Sequence, residues 1–384
     1  MKRIAFIHDK YPAGGAERIT RDIAQYLSGF GGDYMTYAYI TELDRSLLTD
    51  EDTKALNFRI IDKDRTDEII RFIKEDKIDI LTEVTWRLHG IMEIKEKTGC
   101  KVVFACHEEP FWHRHLLSRS EPGNFFKKIL YRSMSPSRKE AAARKKSVKW
   151  TRKDYLTCDA FRVLCDEYGD IIRREFGIPA GNVEKDRIVT IENPEYTVSD
   201  INYDKEKIFL FSGRLENFSK RVDRLLRIWR KVQDRLPEWR LLIAGDGRDA
   251  DELKALAEEL GLQRAEFIGM QKDMKPLYRK ASAVLLTSQT EGWPLCLTEA
   301  QAHGCIAVAF GCTAGVREIL SPDGECGITV PPFDEDRYAE ALIGIAGMEP
   351  ERAMAMRKAS VAKRALYSPE IISEKWKKLF DSLA

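Results

Sequence analysis

The sequence has no long apolar run, no strong excess of either charge and no closely spaced cysteine pair. None of its 384 residues lies in an uninterrupted apolar stretch long enough, at about 18 residues, to cross a bilayer. Residues 1–15 contain a short apolar run and no small-residue cleavage site, which argues against a signal peptide. These absences predict a cytoplasmic protein.

The eight cysteines never occur in the spacing C-x-x-C, and several lie inside apolar runs such as 102–106 and 305–310. A zinc site or a disulfide framework requires tighter pairs or a secreted context. We therefore expect buried, reduced thiols.

Charge is balanced over the whole chain but not within it. Lysine and arginine number 63 and aspartate and glutamate 62, a net charge of +1, which excludes a generally basic nucleic-acid-wrapping protein. Residues 127–153, from Lys127 to Lys153, contain eleven lysines or arginines and one glutamate. Without an aromatic stacking pattern, this segment does not predict nucleic-acid binding.

Short apolar runs alternate with helical patterns along the chain, in two successive sets. The runs are residues 3–8, 34–40, 58–61, 78–84, 101–106, 160–165 and 188–191, then 208–212, 240–244, 266–268, 283–288, 306–310 and 327–330. The predicted helices are 15–28, 67–74, 222–235, 249–260 and 295–303. Such alternation predicts right-handed crossovers and a doubly wound parallel sheet, here formed twice.

The domain boundary is expected near Asn193-Pro194, because a strand ends there and a polar stretch precedes the next apolar run. The predicted domains are residues 1–197 and 198–367, followed by a terminal helix over 368–384. Ser368 is suited to the N-cap of that helix and Pro369 to its first position.

The first predicted strand ends at His8 and leads into a loop that contains Gly14 and Gly15 before a helix. A glycine pair at such a turn allows close approach of a ligand, and the helix N-terminus favours an anion. A tight turn without a ligand is the alternative. Because the pattern G-x-G-x-x-G is missing, a nicotinamide cofactor is disfavoured.

The second half begins with a similar strand end, Phe211-Ser-Gly213-Arg214-Leu, which Lys220 and Arg221 follow. Arginine offers a planar fork to phosphate oxygens and lysine a point charge. These cations predict a phosphate site at the carboxyl edge of the sheet, with solvated loop cations as the alternative.

Two glutamates flank the start of a later helix. Glu291 lies in the loop after the strand that ends at Ser288, and Glu299 lies one turn into the helix that begins near Pro294. Carboxylates accept hydrogen bonds from the vicinal hydroxyls of sugars and ribose, while the free amides at a helix start can hold a phosphate. The strand–loop–helix setting predicts a site for a phosphorylated sugar.

Together these motifs resemble the family 4 retaining glycosyltransferases with the GT-B fold. The matching elements are Gly14-Gly15-Ala-Glu-Arg18, Gly213-Arg214-Leu215 with Lys220, Gly245-Asp-Gly247, Phe267-Ile-Gly269, Glu291-x7-Glu299, the loop 311–315 before Val316-Arg-Glu318, and Gly324-Glu-Cys-Gly327 before Val330-Pro-Pro. The resemblance covers nearly the whole chain. It implies two Rossmann-like domains that face a central cleft, an acceptor-binding one followed by a nucleotide-sugar-binding one, with the terminal helix crossing back to the first.

The resemblance also implies roles for individual residues. Arg214 and Lys220 would bind the donor diphosphate, Glu299 the ribose and Glu291 the transferred sugar. The implied catalytic residues are His107, Arg214, Lys220 and Glu291. The implied donor-binding residues are Gly14, Gly15, Gly213, Arg214, Lys220, Met270, Glu291, Gly292, Trp293, Leu295, Cys296 and Glu299.

Two departures from the family pattern affect these assignments. The spacing between Arg214 and Lys220 is one residue longer than usual, so the loop must bulge and Arg221 could replace Lys220. The loop 311–315 lacks the usual adjacent glycine pair. His107 follows the strand over 101–106 at the place where the family carries a histidine, with a structural histidine as the alternative.

The resemblance implies a retaining hexosyltransferase of the EC 2.4 class that needs no metal ion and no cofactor. Its donor would be a nucleotide-diphosphate sugar, with UDP favoured over GDP and ADP. Its acceptor would be a hydroxyl of a glycan or of a lipid-linked glycan in cell-surface polysaccharide synthesis. The alternatives are a non-catalytic sugar-nucleotide-binding assembly subunit of the same fold, and a phosphorylase or epimerase.

The basic segment 127–153 lies in the acceptor half, beside Phe125, Phe126 and Trp150. Cations with apolar neighbours suit the surface of an anionic leaflet. We therefore predict peripheral contact with the inner face of the membrane, with a solvated helical face as the alternative.

Overall fold

The computed structural model describes residues 1–12, 14–84, 88–118, 131–179 and 186–383. The chain forms two compact units, Met1–Glu192 together with Ile372–Ala384, and Asn193–Ile371. The boundaries predicted from the sequence, after residues 197 and 367, lie a few residues from these positions. Over the described residues no helix is both long enough and apolar enough to cross a membrane.

A parallel sheet of seven strands forms the centre of the first unit. The strands are β1 (Lys2–Tyr11), β2 (Tyr34–Leu43), β3 (Asn57–Ile60), β4 (Ile80–Glu83), β5 (Lys101–Ala105), β6 (Ala160–Val163) and β7 (Ile188–Thr190). Their order is β3-β2-β1-β4-β5-β6-β7. The inner strand β1 is buried from Ile4 to Ile7, as expected for a parallel sheet covered on both faces.

Helices on the sheet of the first unit follow the predicted strand–helix alternation. They are α1 (Gly15–Ser28), α2 (Asp50–Ala55), α3 (Thr66–Glu75), α4 (Ile91–Thr98), α5 (His113–Leu117), α6 (Pro136–Thr157) and α7 (Asp166–Phe176). The long helix α6 begins with the N-cap Ser135 and with Pro136 at its first position. It carries most of the basic segment, of which Lys127 to Leu130 lie outside the described residues.

The second unit is built on a parallel sheet of six strands. They are β8 (Glu206–Ser212), β9 (Arg240–Ala244), β10 (Ala265–Gly269), β11 (Ala281–Leu286), β12 (Ile306–Phe310) and β13 (Ile328–Val330). Their order, β10-β9-β8-β11-β12-β13, places the ends of β8 and β11 side by side. The expectation of two doubly wound α/β sheets is thereby confirmed.

The helices of the second unit pack on this sheet and bury a large core. They are α8 (Val222–Val232), α9 (Ala250–Glu259), α10 (Lys275–Lys280), α11 (Leu295–Ala302), α12 (Ala314–Leu320), α13 (Glu335–Ala346) and α14 (Pro350–Ala365). In the core Phe209 stacks on Trp239 with ring centroids 4.4 Å apart, and Trp229 is fully buried.

The last helix, α15 (Pro369–Leu383), packs within the first unit over most of its length. Phe380 lies 6.2 Å from the ring of Phe6, and the guanidinium of Arg162 lies 5.6 Å from the centre of the Trp376 ring. Ser368 Oγ accepts a bond from the Ile371 amide at 3.4 Å, which matches the predicted N-cap.

All eight cysteines are free thiols, so the expectation of reduced cysteines is confirmed. Burial is less uniform than expected. Cys106, Cys296 and Cys312 are half-buried, whereas the other five are buried.

Candidate functional site

A nearly buried ion pair lies at the carboxyl ends of β8 and β11. Lys220 Nζ donates to Glu291 Oε1 at 2.7 Å, and the two side chains are 17% and 11% exposed. Ser288 Oγ donates to the same carboxylate oxygen at 2.6 Å. Burial lowers the pKa of Lys220, but the Glu291 carboxylate outweighs it and the pKa is raised. Lys220 therefore keeps its charge without full access to water.

The turn that contains Lys220 is hydrogen-bonded to residues 287 and 289, which precede Glu291. Thr287 Oγ1 donates to the carbonyl oxygens of Lys220 at 3.3 Å and Arg221 at 3.0 Å. The Gln289 amide donates to the Ser219 carbonyl oxygen at 2.6 Å. Because these bonds join the two loops, the cation and the carboxylate are held in one local framework.

The extra residue between Arg214 and Lys220 is accommodated in this turn. Arg221 has a φ of 50°, a left-handed conformation that is uncommon for a residue with a side chain. Its guanidinium forms a fork with Asp223, with two N–O distances of 2.8 Å. The bulge thus directs Lys220 to Glu291 and Arg221 to Asp223.

Arg214 stands at the open side of this site. Its side chain is 74% exposed and lies 3.5 Å from Glu216 Oε1. Its charge is close enough to oppose the protonation of Lys220. The exposed guanidinium can therefore reorient toward an anion bound beside Lys220.

Glycines let the loops after β8 and β9 approach closely. A Cβ at Gly245, whose φ is +140°, would lie 1.9 Å from the Gly213 carbonyl oxygen. A Cβ at Gly213 would lie 3.3 Å from the Phe211 ring and 3.7 Å from Lys220 Cε. The backbone beside Lys220 is therefore bare, which suits close approach by a ligand.

Glu299 lies on α11, which begins at Leu295, four residues after Glu291. Its Oε2 accepts a hydrogen bond from the Tyr278 hydroxyl at 2.9 Å. Cys296 lies among the charges of this site: burial raises the pKa of its thiol to about 12, with Lys220 opposing and Glu291 and Glu299 adding to the rise. Both glutamates thus lie near Cys296, as expected from strand–loop–helix geometry, and Cys296 remains a neutral thiol.

The other predicted donor-binding residues differ in exposure. Met270, after β10, is 76% exposed. Trp293 is 5% exposed and packs against Tyr367 at 5.9 Å between ring centroids. Gly292 is buried, and Leu295 is half-buried at the first position of α11. Trp293 therefore packs in the interior of the second unit, whereas Met270 is open to solvent.

In the first unit, His107 follows β5 and is half-buried. Burial, followed by the charges of Arg162 and His8, lowers its pKa well below the ordinary value of 6.5. His107 is therefore a neutral imidazole near pH 7 and a weaker base than an ordinary histidine.

Gly14 and Gly15 lie at the start of α1, also in the first unit. Gly14 is the N-cap and has an extended backbone, and a Cβ there would lie 2.8 Å from Glu17 Oε2. Glu17 Oε1 lies 3.3 Å from His8 Nδ1, and His8 Nε2 lies 2.9 Å from Thr20 Oγ1. The lack of a side chain at Gly14 makes room for the Glu17 carboxylate.

Some residues of this site are not predicted from the sequence. Ser288 ends a predicted strand three positions before Glu291, and this position in the sequence could have indicated that it lies at the site. Nothing in the sequence pattern singles out Thr287 or Tyr278. In the described part of the chain, no group of three or more His, Cys, Asp or Glu side chains could hold a metal ion.

The arrangement in the second unit combines a buried cation, bare backbone and helix-start amides with two carboxylates. Cations and helix N-termini bind phosphate, and carboxylates bind hydroxyl groups. Residues 194–362 match the family described as "Glycosyl transferases group 1". The matched residues make up most of the second unit, Asn193–Ile371.

The chain is also similar to curated proteins over part of their length. It is 30% identical over 224 residues to an uncharacterized glycosyltransferase of Haemophilus influenzae. This match covers 58% of this chain and 61% of that protein. It is 32% identical over 186 residues to the amylovoran biosynthesis glycosyltransferase AmsD of Erwinia amylovora. This match covers 48% of this chain and 51% of that protein. The chain thus spans less than two thirds of the length of both relatives.

A solved structure extends the likeness over the whole chain. The structure of Anabaena Alr3699/HepE in complex with UDP and glucose matches this chain with a TM-score of 0.74. The match covers 100% of both chains at 14% sequence identity. The GT-B fold predicted from the sequence is therefore confirmed.

Proposed function

We propose that this protein is a retaining glycosyltransferase that moves a hexosyl unit from a nucleotide-diphosphate sugar to a hydroxyl group. The observation that carries the proposal is the Lys220–Glu291 ion pair beside the start of α11, with Glu299 one turn further on. This site offers a fixed cation to a diphosphate and carboxylates to sugar and ribose hydroxyls. The match of residues 194–362 to a glycosyltransferase family supports the reaction class, and the local geometry supports the donor class.

The chemical step would depend on stabilising the leaving group. Negative charge grows on the departing nucleoside diphosphate, and only groups that bind this charge more strongly in the transition state accelerate the reaction. Lys220, Arg214 and the amides at the start of α11 are the groups suited to this role. We propose that these groups serve in place of a metal ion.

Glu291 is suited to positioning the sugar rather than attacking it. Its carboxylate already accepts bonds from Lys220 and Ser288, so it is held in place and its charge is partly compensated. We propose attack by the acceptor hydroxyl on the same face that the nucleotide leaves, which gives retention without a covalent enzyme intermediate. The neutral imidazole of His107 is proposed to contact the sugar or the acceptor.

UDP is the proposed nucleotide, with GDP and ADP as alternatives. The structurally similar Anabaena protein was solved with UDP and glucose. The name of the Erwinia relative, a glycosyltransferase of amylovoran biosynthesis, supports a role in polysaccharide synthesis. We therefore propose a glycan or a lipid-linked glycan as the acceptor.

The basic helix α6 supports a second part of the proposal, peripheral contact with an anionic membrane. Its exposed cations are Arg138, Arg144, Lys145, Lys146, Lys149, Arg152 and Lys153. Lys146 lies 4.8 Å from the centre of the Trp150 ring, so cation and aromatic surface occur together. Such a surface gains about 1 kcal/mol per cation near an anionic leaflet.

The test is to measure nucleotide release from UDP-, GDP- and ADP-sugars with and without a glycan acceptor, in buffer containing a chelator. Release that requires the acceptor, together with an α-linked product from an α-linked donor by NMR, supports the proposal. Binding of the donor without turnover under any condition favours the non-catalytic subunit. Loss of turnover with the chelator contradicts a metal-independent mechanism.

A further inference from the structure

Four side chains of the second unit form a closed ring of contacts at Glu299. The Tyr278 hydroxyl donates to Glu299 Oε2 at 2.9 Å, and His303 Nδ1 donates to the Glu299 carbonyl oxygen at 2.9 Å. Lys205 Nζ closes the ring by donating to the carbonyl oxygens of Tyr278 at 2.9 Å and His303 at 2.7 Å. The carboxylate and the helical turn that carries it are thus held by the same neighbours.

Tyr278 is itself held firmly. It is 2% exposed, and its ring centroid lies 5.4 Å from that of His303. Its carbonyl oxygen also accepts a bond from Cys305 Sγ at 3.0 Å. Burial, followed by the Glu299 charge, raises the pKa of Tyr278 well above its ordinary value, so the phenol keeps its proton and acts as the donor.

The hydrogen bond matters because Glu299 is half-buried and ends in a flexible carboxylate. A glutamate side chain that is free to rotate loses rotamer entropy when a ligand orders it. A carboxylate that is already oriented binds a pair of hydroxyl groups without that loss. The buried phenol therefore does more than fill space: it selects one orientation of the acceptor oxygens.

We propose that Tyr278 is a positioning residue, which orients the Glu299 carboxylate toward the ribose hydroxyls and so sets a preference for ribonucleotides over 2′-deoxyribonucleotides. The inference rests on the proposed function, because the ribose belongs to the nucleotide-sugar donor. It adds a residue from a separate helix, α10, to the residues that the sequence motifs indicate.

The test compares the affinities of UDP, GDP and ADP with those of their 2′-deoxy counterparts by calorimetry. For the nucleotide that binds best, Tyr278→Phe is expected to reduce the ribose-to-deoxyribose affinity ratio about tenfold. Phenylalanine keeps the ring that packs on His303, and a thermal melt checks folding. The matched control is Tyr338→Phe, a buried tyrosine whose hydroxyl bonds the backbone of Leu286 and Val308; its ratio is expected to stay unchanged.

A second measurement repeats the substitution in a Glu299→Ala background, which removes the oxygen that accepts the Tyr278 hydroxyl bond. If Tyr278 acts through the carboxylate, its effect on the ratio disappears there. The inference is overturned if Tyr278→Phe weakens both nucleotides equally, or if its effect on the ratio persists in the Glu299→Ala background. If the wild-type protein binds none of the three ribonucleotides, the proposed function is overturned as well. That outcome differs from failure of the Tyr278 inference alone, in which the wild type binds a ribonucleotide normally.

Discussion

Replacing Lys220 by alanine is the sharpest test of the donor site. The substitution removes the cation proposed to meet the diphosphate, and loss of one preorganised charge-stabilising group lowers turnover by about 10²–10³-fold. It also leaves Glu291, which is 11% exposed, without its 2.7 Å partner. Because Ser288 still bonds that carboxylate, we expect a stability loss at the low end of the range for breaking a buried pair, about 3 kcal/mol.

Arg221→Ala is the matched control for this substitution. It removes the neighbouring cation of the same turn and breaks a fork with two distances of 2.8 Å. Asp223 is still paired with Arg227 at 2.9 Å, so no carboxylate is orphaned. We expect turnover within about threefold of the wild type, because Arg221 is directed to Asp223 and not to the site.

The assay is steady-state nucleotide release from the donor, with a thermal melt of each variant to separate misfolding from lost catalysis. When each variant is assayed at a temperature well below the midpoint of its thermal melt, a loss of turnover reflects lost catalysis rather than unfolding. The reasoning is refuted if Lys220→Ala turns over normally while Arg221→Ala is inactive. That result would show that the extra residue in the loop transfers the diphosphate contact to Arg221.

Four further outcomes are expected. Glu299→Ala should weaken UDP binding by about 10–100-fold, since bonds to a charged acceptor are worth about 1.5–3 kcal/mol; unchanged affinity by calorimetry would remove Glu299 from the site. His107→Ala should leave UDP affinity intact and lower transfer, whereas full activity would indicate a structural histidine. Folding lowers the pKa of His107 below 6.5, so at acidic pH the unfolded chain binds a proton that the folded protein does not. The stability of the wild type is therefore expected to fall as the pH drops below about 6.5. The contribution of His107 to this loss should be missing in thermal melts of His107→Ala. The double substitution Lys145→Glu with Lys149→Glu should abolish co-sedimentation with anionic liposomes at low salt. The control in the second unit, Lys254→Glu with Lys358→Glu, should not. If the wild type does not sediment with liposomes at any salt concentration, membrane contact is contradicted.

The strands were predictable because parallel strands buried on both faces require continuous apolar runs. Every predicted strand is present, although β1 continues past His8 to Tyr11. Short helices such as Asp50–Ala55 and Lys275–Lys280 were not predicted, since six residues are too few to show a helical period. The first begins with a capping box of Thr49 and Asp52, whereas the N-cap side chain of the second makes no capping bond.

The site was predictable where its residues are close in sequence and unpredictable where they are not. The spacing of Glu291 and Glu299 follows from one loop and one helical turn. The choice between Lys220 and Arg221 depends on the left-handed backbone of Arg221 and its bond to Asp223, which no sequence pattern shows. Tyr278 reaches Glu299 from a different helix, so only the folded chain brings them together.

The position of α15 has a practical consequence for dividing the protein. Its Trp376 and Phe380 side chains complete the core of the first unit, although the helix follows the second unit in the chain. A fragment that ends at Glu192 would expose Phe6 and leave the buried guanidinium of Arg162 without the Trp376 ring. Expression of the first unit alone should therefore require residues 372–383 to be supplied as well, through a linker or as a separate peptide. The second unit, by contrast, is one uninterrupted stretch and can be excised with two cuts.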